Sequence, residues 1–557
     1  MVDKIFKKHH IVMCDKYSWK LYERDSVKVW FSGYQYNNSF EDMIGTIISM
    51  LCSPNFNKHE VFHLIRNISG HFAIVVETNT WVMAAVDKIC TVPIFLAECR
   101  GVFFISNHAH ILKKECNIRK DELNLLASLE VSMSGYTIGD KTLYHRIKRL
   151  EGGTCLLYSQ DKGSYYKEYY YTYSPWKTKD RSEDMLIKEF TDICTNTLVD
   201  LKKSANGRQI VIPLSAGNDS RLVASGLKEI GVKNVICFSY GRKGNFETPI
   251  GKIVAEKLGY KWIYIPVTMR GKRNFFKSAV YHKYIKDFES YSSIPNIHEV
   301  YEISLLRENP LIDDDAIIVN GNAGDFISGG HIKSMSDIKY TTKTVKDINW
   351  SKFLSKHYSL WEDLRNSTND NYIVPELEKL LLSRINGELV DFEKYHYAMM
   401  ECVEFFGRQS RFVANQQRTY EYFGYEWRLP LWSDEMFDFW ESVPYKYKIN
   451  QYLYIKALQE NNWGDVWHNI KVNNKVIKPI FLRWTRYIAR ALFFFLGKEK
   501  WHRFEKKFFE YWLHPTYALT ATSYLSVLLD RRKYRSANSW VSYKMLKSNG
   551  IKDIVNR

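Results

Sequence analysis

The sequence predicts two folded parts and a helical tail: an α+β part rich in short strands (residues 1–178), an α/β part built on a parallel sheet (183–475), and a basic, aromatic tail (476–557). Three observations carry this. Short apolar runs broken by polar or glycine turns fill the first third, as strands do. From residue 184 the pattern becomes strand–helix–strand–helix–strand, which implies a parallel sheet with helices on both faces. Charge then shifts: from Lys471 onward there are 19 Lys and Arg against 5 Asp and Glu, so most of the +17 net charge belongs to the tail.

In the first part, Phe72-Ala73-Ile74-Val75-Val76, Trp81-Val82-Met83-Ala84-Ala85-Val86 and Val102-Phe103-Phe104-Ile105-Ser106 read as strands. The pattern over 107–126 predicts a helix, and Gly152-Gly153 a turn before the strand Cys155-Leu156-Leu157-Tyr158. The polar stretch 173–182, with Pro175, predicts a linker. In the second part a helix over 184–203 precedes the strand Ile210-Val211-Ile212-Pro213-Leu214. A helix from Ser220 carries Val223, Leu227 and Ile230 on one face and stops at Gly231. The strand 235–238, a helix ending at Gly259 and the strand 262–267 follow, and Ala316-Ile317-Ile318-Val319 predicts a further strand of the same sheet.

Nine scattered cysteines with no close pairing argue against a disulfide framework or a zinc site and fit a reducing cytoplasm. The N-terminus reads as lacking a signal peptide, and no apolar run is long enough to span a bilayer; Ala491-Leu492-Phe493-Phe494-Phe495-Leu496 comes nearest. The expected location is cytoplasmic. In the tail, bases alternate with aromatics. One reading is peripheral contact with the inner face of a membrane, another is packed helices with a solvated basic face. No nucleic-acid motif accompanies the charge.

The residues that carry chemistry begin at Ser215-Ala216-Gly217-Asn218-Asp219-Ser220. A buried strand runs into small residues, an acid and two serines, then a helix. That is a turn whose backbone N–H groups, hydroxyls and helix N-terminus suit a pyrophosphate. It lacks the Gly-Lys-Ser/Thr of a Walker loop. Asp219 suits Mg²⁺ rather than phosphate, because a bare carboxylate repels phosphate. A second small-residue turn, Asn320-Gly321-Asn322-Ala323-Gly324-Asp325, follows another buried strand and ends in another aspartate.

Together these segments resemble the asparagine synthetase superfamily. The first turn is similar to its Ser-Gly-Gly-x-Asp-Ser pyrophosphate loop and 320–330 to its second loop. Glu426-Trp427-Arg428-Leu429-Pro430-Leu431 resembles its Glu-x-Arg-x-Pro-Phe motif, and Val443-Pro444-Tyr445-Lys446-Tyr447-Lys448 the proline–lysine run after it. Gly33-Tyr34-Gln35-Tyr36-Asn37, Gly70-His71-Phe72-Ala73, Asp87 with Pro93-Ile94-Phe95, and 103–107 resemble its glutaminase domain. The resemblance implies an Ntn-type β-sandwich glutaminase domain, then a pyrophosphate-loop domain of the adenine nucleotide alpha hydrolase kind. It implies ATP held by Leu214, Ser215, Ala216, Gly217, Asn218, Asp219, Ser220, Tyr240, Asn320 and Gly321, with Mg²⁺ on Asp219 and Asp325. The implied reaction is adenylation of a carboxylate followed by attack of ammonia or an amine, with Lys475 matching a lysine that stabilises the intermediates.

Three departures qualify it. Position 2 is Val where the family's glutaminase has its N-terminal cysteine nucleophile, and Cys14 lies too far inside to supply an α-amine base, so the implied glutaminase domain is a remnant. Asn322 replaces a glutamate that helps deprotonate the nucleophile; an amide is no base. That glutamate's partner acid falls near Phe412, leaving Glu401 and Glu404 as candidates. Ala216 stands where the family prefers glycine, which costs little if φ is negative. Among relatives, the asparagine-synthetase-like proteins encoded with bacterial surface polysaccharides are most similar, in the stretch Arg418-Thr419-Tyr420 to Trp432 and in Gly329-Gly330-His331. That resemblance implies a sugar or small-molecule carboxylate, with nitrogen from ammonia, an amine or a separate glutaminase. Asparagine synthesis, a non-catalytic nucleotide-binding scaffold and homodimerisation remain open.

Overall fold

The computed structural model describes residues 8–24, 26–36, 39–336, 342–470, 480–509, 511 and 522–551. Val2 and Lys475 lie outside them.

Two sheets form the first part. Six antiparallel strands run in the order β10 (Ser164–Tyr169), β9 (Thr154–Ser159), β5 (Trp81–Val86), β4 (Gly70–Glu77), β3 (Val27–Gln35), β2 (Lys20–Arg24). Four more run β1 (Lys8–Ile11), β7 (Val102–Ser106), β6 (Phe95–Cys99), β8 (Ile147–Arg149), with β1 parallel to β7. Side-chain alternation sorts the smaller sheet: Leu96, Phe103 and Ile105 join the core shared with the larger sheet, while Phe95, Ala97 and Phe104 pack with Ala109 and Leu112 of the next helix. Phe103 stacks on Tyr158 across the gap, ring centroids 5.3 Å apart.

The helix expected over 107–126 is two. α3 (Ala109–Glu115), which follows α1 (Phe40–Leu51) and α2 (Lys58–Arg66), ends at Cys116, and Asn117 takes a left-handed φ of 50°. Leu123 bridges to Tyr144, and Asn124 then caps α4 (Leu125–Ser134), its side chain accepting from the Ala127 N–H. Stretch 173–182 holds no helix or strand, yet it is not an exposed tether. Tyr173 is wholly buried and stacks on Phe405 at 4.7 Å.

The third sheet is fully parallel, in the order β13 (Lys261–Pro266), β12 (Val235–Gly241), β11 (Ile210–Pro213), β14 (Ile317–Val319), β15 (Glu426–Arg428). Its middle strands are buried on both faces, which is why they read as unbroken Ile/Val runs. α5 (Glu183–Ala205), capped by Ser182, precedes β11; α6 (Asp219–Glu229) and α7 (Glu247–Leu258) follow β11 and β12. Gly231 and Gly259 end these last two with positive φ. β15 was not expected: the segment resembling Glu-x-Arg-x-Pro-Phe is itself an edge strand, paired parallel with β14. Strand order reverses direction between β11 and β14, so a crevice opens at their carboxyl ends.

The chain's end returns to the first part. In the helix Ala537–Ser548, Trp540, Val541, Met545 and Leu546 are buried, and Ser542 Oγ donates to the Val131 carbonyl of α4. This helix of the tail is packed, its apolar side on the first part and its Lys547 in the last turn.

Candidate active site at the carboxyl ends of β11 and β14

β11 delivers residues 214–218 to the switch point and α6 begins at Asp219. The Asn218 side chain makes no cap hydrogen bond, so the first-turn N–H groups of α6 are not quenched by it. The serines brace the turn: Ser215 N–H donates to Ser220 Oγ (3.1 Å) and Gly217 N–H to Ser215 Oγ (3.1 Å). Each hydroxyl thus accepts from backbone, and with the two oxygens 3.2 Å apart one donates to the other, leaving one hydroxyl proton to donate outward. Ala216 is fully buried and outside the left-handed region, so its methyl is accommodated.

The second loop is pressed onto the first. Asp325 N–H donates to Asp219 Oδ2 (3.0 Å) and Tyr454 OH to Asp219 Oδ1 (2.9 Å). A Cβ on Gly321 would lie 2.7 Å from Asp219 C and Ser220 N, and one on Gly324 2.7 Å from Asp219 Cγ, distances no side chain tolerates. The glycines are what let the two turns meet. Burial, and then the neighbouring Asp325, push the Asp219 carboxyl up to about 7. Desolvation by the packed loops would raise the Asp325 carboxyl, but its outer face is open to solvent, and the His331 hydrogen bond and charge hold it below the usual carboxylate range.

His331 continues the network. Its Nε2 lies 3.3 Å from Asp325 Oδ2 and its Nδ1 donates to Glu404 Oε1 at 2.6 Å. Burial opposes its charge, but the two acids win and raise it to about 9, so it is a cation at neutral pH. Glu404 is buried, with His357 Nε2 at 3.3 Å, Gln409 Nε2 donating at 2.9 Å and Arg408 at 3.7 Å. Its charge is thereby held well below the usual range despite burial. Glu401, the other candidate acid, is spent on Lys448 at 2.7 Å in a wholly buried pair. Neither acid touches Asn322. The Asn322 amide donates instead to Gln416 Oε1 (2.7 Å), and its backbone N–H to Asn320 Oδ1 (2.9 Å).

Of the expected adenosine contacts, Leu214 has its carbonyl occupied by Ser239 Oγ (2.7 Å). Tyr240 OH donates to Glu299 Oε1 (3.1 Å), and Tyr420 OH, which accepts from Asn320 Nδ2, donates to Glu299 Oε2 (2.6 Å). Glu299, Tyr420, Gln416 and Tyr454 were missed as site residues. Tyr420 lies in a stretch that the resemblance marks without giving it a role; only the fold brings positions 299, 416 and 454 to this crevice. Among the described residues no group of three or more His, Cys, Asp or Glu is arranged to hold a metal by itself. Two carboxylates fit an ion that keeps water and phosphate ligands, as Mg²⁺ does, and Asp219, raised by desolvation and then by its acidic neighbour, is a group that a cation would relieve.

The motifs of the first part meet a different fate. Tyr34 OH lies 2.8 Å from His71 Nδ1 and accepts from the Leu429 N–H (2.9 Å), while the Arg428 guanidinium sits 4.3 Å over the Tyr34 ring. Burial drives His71 down to about 3, so it is neutral. Residues 33–36 and 70–71 therefore clamp β15 in place.

No known protein-family profile matches the chain, and no curated protein matches it. Among solved structures it is similar to the "allosteric regulatory enzyme of purine biosynthesis", with 10% identity over 44% of this chain and 62% of that one and a TM-score of 0.18. It is also similar to a glutamine phosphoribosylpyrophosphate (PRPP) amidotransferase from B. subtilis complexed with ADP and GMP, with 8% identity over 55% and 64% and a TM-score of 0.17. The chain spans less than two thirds of either neighbour. Likeness at that level carries no weight for the site, whose reading rests on its own geometry.

Proposed function

We propose that this chain is an ATP-dependent, AMP-forming carbon–nitrogen ligase of the asparagine-synthetase type. It would adenylate a carboxylate, releasing pyrophosphate, and an amine would then displace AMP to leave an amide. The observation that carries this is the meeting of two small-residue turns at the strand-order switch, each bringing an aspartate, with Asp219 half-buried and pushed up beside Asp325. A divalent cation there would offset the charge on the departing pyrophosphate. Asp219 and Asp325 would hold it.

The other roles follow from chemistry. The first-turn N–H groups of α6, with Gly217 and the serine hydroxyls, would take the pyrophosphate oxygens. His331, cationic between Asp325 and Glu404, would add positive charge where negative charge develops. Proton removal from the amine is the weak point of the site. Asn322 cannot accept the proton, Glu404 is held by His331, Gln409 and His357, and Glu401 by Lys448. The amine must therefore arrive as its free base, supplied as ammonia, as an amine or by a separate glutaminase. The acceptor class proposed is a small-molecule or sugar carboxylate, such as a uronate of a surface-polysaccharide precursor.

ATP–pyrophosphate exchange across a panel of carboxylates, with and without ammonia, tests the reading. Exchange that needs Mg²⁺ and one acid is the expected result; exchange with aspartate alone would make it an asparagine synthase. The occupied amide of Asn322 favours a second reading, a nucleotide-binding scaffold without turnover, which predicts ATP binding by calorimetry and no exchange. Absence of both would remove ATP from the picture.

A further inference from the structure

The helix Ile480–Leu492 is packed the wrong way round for a soluble protein. At 100° per residue, Trp484, Tyr487, Ile488, Ala491 and Leu492 form one apolar stripe, while Arg483, Arg486 and Arg490 lie on another side. A surface helix normally buries such a stripe. Here the partly covered positions are Leu482, Arg486, Ala489 and Phe493, and the stripe faces out: Trp484 is 66%, Ile488 63% and Leu492 73% exposed. The turn that follows adds Phe494 at 80% and Phe495 at 92%, so the exposed apolar surface is continuous along the chain.

A notch of about 220 Å³ opens beside those phenylalanines, between this helix and the next, Lys498–Phe508. Arg486, Arg490, Lys498 and His502 line it against Phe493 and Trp501, with no acidic residue in its wall. Arg486 is paired with Glu505. Arg490 and Lys498 are in no ion pair among the described residues. The charge of the whole element is predominantly basic: residues 480–509 hold eight Lys and Arg and two Asp and Glu. A second copy seated on this patch through a two-fold axis would set like charges against each other. An anionic bilayer complements it, and no described helix is long and apolar enough to cross one.

We propose that residues 480–509 are a peripheral membrane-docking element for anionic phospholipid. The helix lies in the interfacial plane, Trp484, Ile488, Leu492, Phe494 and Phe495 enter the acyl boundary, and the Arg490–Lys498 notch takes a headgroup phosphate. This places the crevice at β11 and β14 on a chain held at a lipid surface, whatever that crevice does.

Flotation of the full-length protein with vesicles tests it. Binding to phosphatidylcholine–phosphatidylglycerol vesicles is expected to be at least tenfold tighter than to phosphatidylcholine alone, and reversed by high salt. Phe494→Glu with Phe495→Glu should abolish flotation with the thermal melt unchanged. Arg490→Glu with Lys498→Glu should cost at least tenfold and erase the lipid preference, while Leu389→Glu, at an exposed leucine elsewhere, should change nothing. No flotation with anionic vesicles would overturn the proposal. So would unchanged flotation of the double Phe variant, or a lipid-free dimer that this variant dissociates. The salt response of the unmutated protein keeps the test independent of how the variants fold.

Discussion

Two regions of this molecule carry motifs similar to those of one family, and they use them in opposite ways. At the carboxyl ends of β11 and β14 the small residues bring two acids together and leave them strained: Asp219 rises to about 7 and the helix N-terminus behind it is uncapped. In the antiparallel part, Gly33, Tyr34, Gly70 and His71 are satisfied by each other and by β15, and His71 falls to about 3. One region sets two carboxyl-bearing loops against each other. The other is closed. Glycine marks both, because both need backbones in contact. What separates the two is charge: in the first the groups that glycine lets approach are two acids, in the second a phenol and a neutral imidazole.

The largest expected effect is at the first region. Asp219→Ala should lower Mg²⁺-dependent ATP–pyrophosphate exchange by about a thousandfold or more, the scale at which preorganised charge contributes to catalysis. Exchange that survives at the unmutated rate would show that the two-acid site is not where the chemistry occurs. Gly324→Ala should follow closely, because its Cβ would be driven against Asp219 Cγ; a loss of about a hundredfold is expected from displacement on the order of 1 Å.

The matching changes in the closed region should do the reverse. Gly33 has a φ of 108°, and a Cβ there would meet the His71 carbonyl oxygen at 2.1 Å. Gly33→Ala should therefore cost roughly 2–4 kcal/mol of stability, read in chemical denaturation, through backbone strain and displacement of β4. Tyr34→Phe removes the hydroxyl that the Leu429 N–H donates to and should cost about 1–3 kcal/mol. In both, the KM for ATP should hold once the protein is folded. A KM that moves more than stability would erase the distinction between the regions.

How much of this was legible follows from range. The parallel strands were readable because burial on both faces writes itself as continuous Ile/Val runs, and α6 and α7 because glycine stops them. β15 was not, since three residues of strand within a Glu-x-Arg-x-Pro-like segment have no period to detect. The 107–126 helix was overdrawn because apolar spacing continues across Cys116 and Asn117, and only pairing of Leu123 with Tyr144 reveals the break. Asp219 and Asp325 were both singled out, each from a strand-then-small-residue pattern. Glu299 and Tyr454 could not be, because nothing local distinguishes them from a helix-end acid and a core tyrosine, and Tyr420, though inside a resembling stretch, shows no role until the fold sets it on Glu299.

The smallest expected effect tests whether the open region is strained. A carboxyl whose pKa rises from 3.8 to about 7 on folding is protonated in the native state where the unfolded chain has lost its proton. Its contribution to stability is neutral below pH 3.8, turns increasingly unfavourable between there and 7, and is constant above. Asp219→Asn removes that ionisation; its one amide oxygen still accepts from the Asp325 N–H, and its NH2 faces Tyr454 OH, which turns from donor to acceptor. Without added Mg²⁺ the variant should melt higher than the unmutated chain at pH 8, by about 2–4 °C if the relief is near 1 kcal/mol, and should lose that advantage towards pH 4. Adding Mg²⁺ and ATP should stabilise the unmutated chain alone and reverse the order, because ligand bound only to the folded state raises the melting point. A gain that is equal at pH 8 and pH 4 would mean that Asp219 pairs as comfortably as His71 does, and the two regions would then differ in sequence but not in kind.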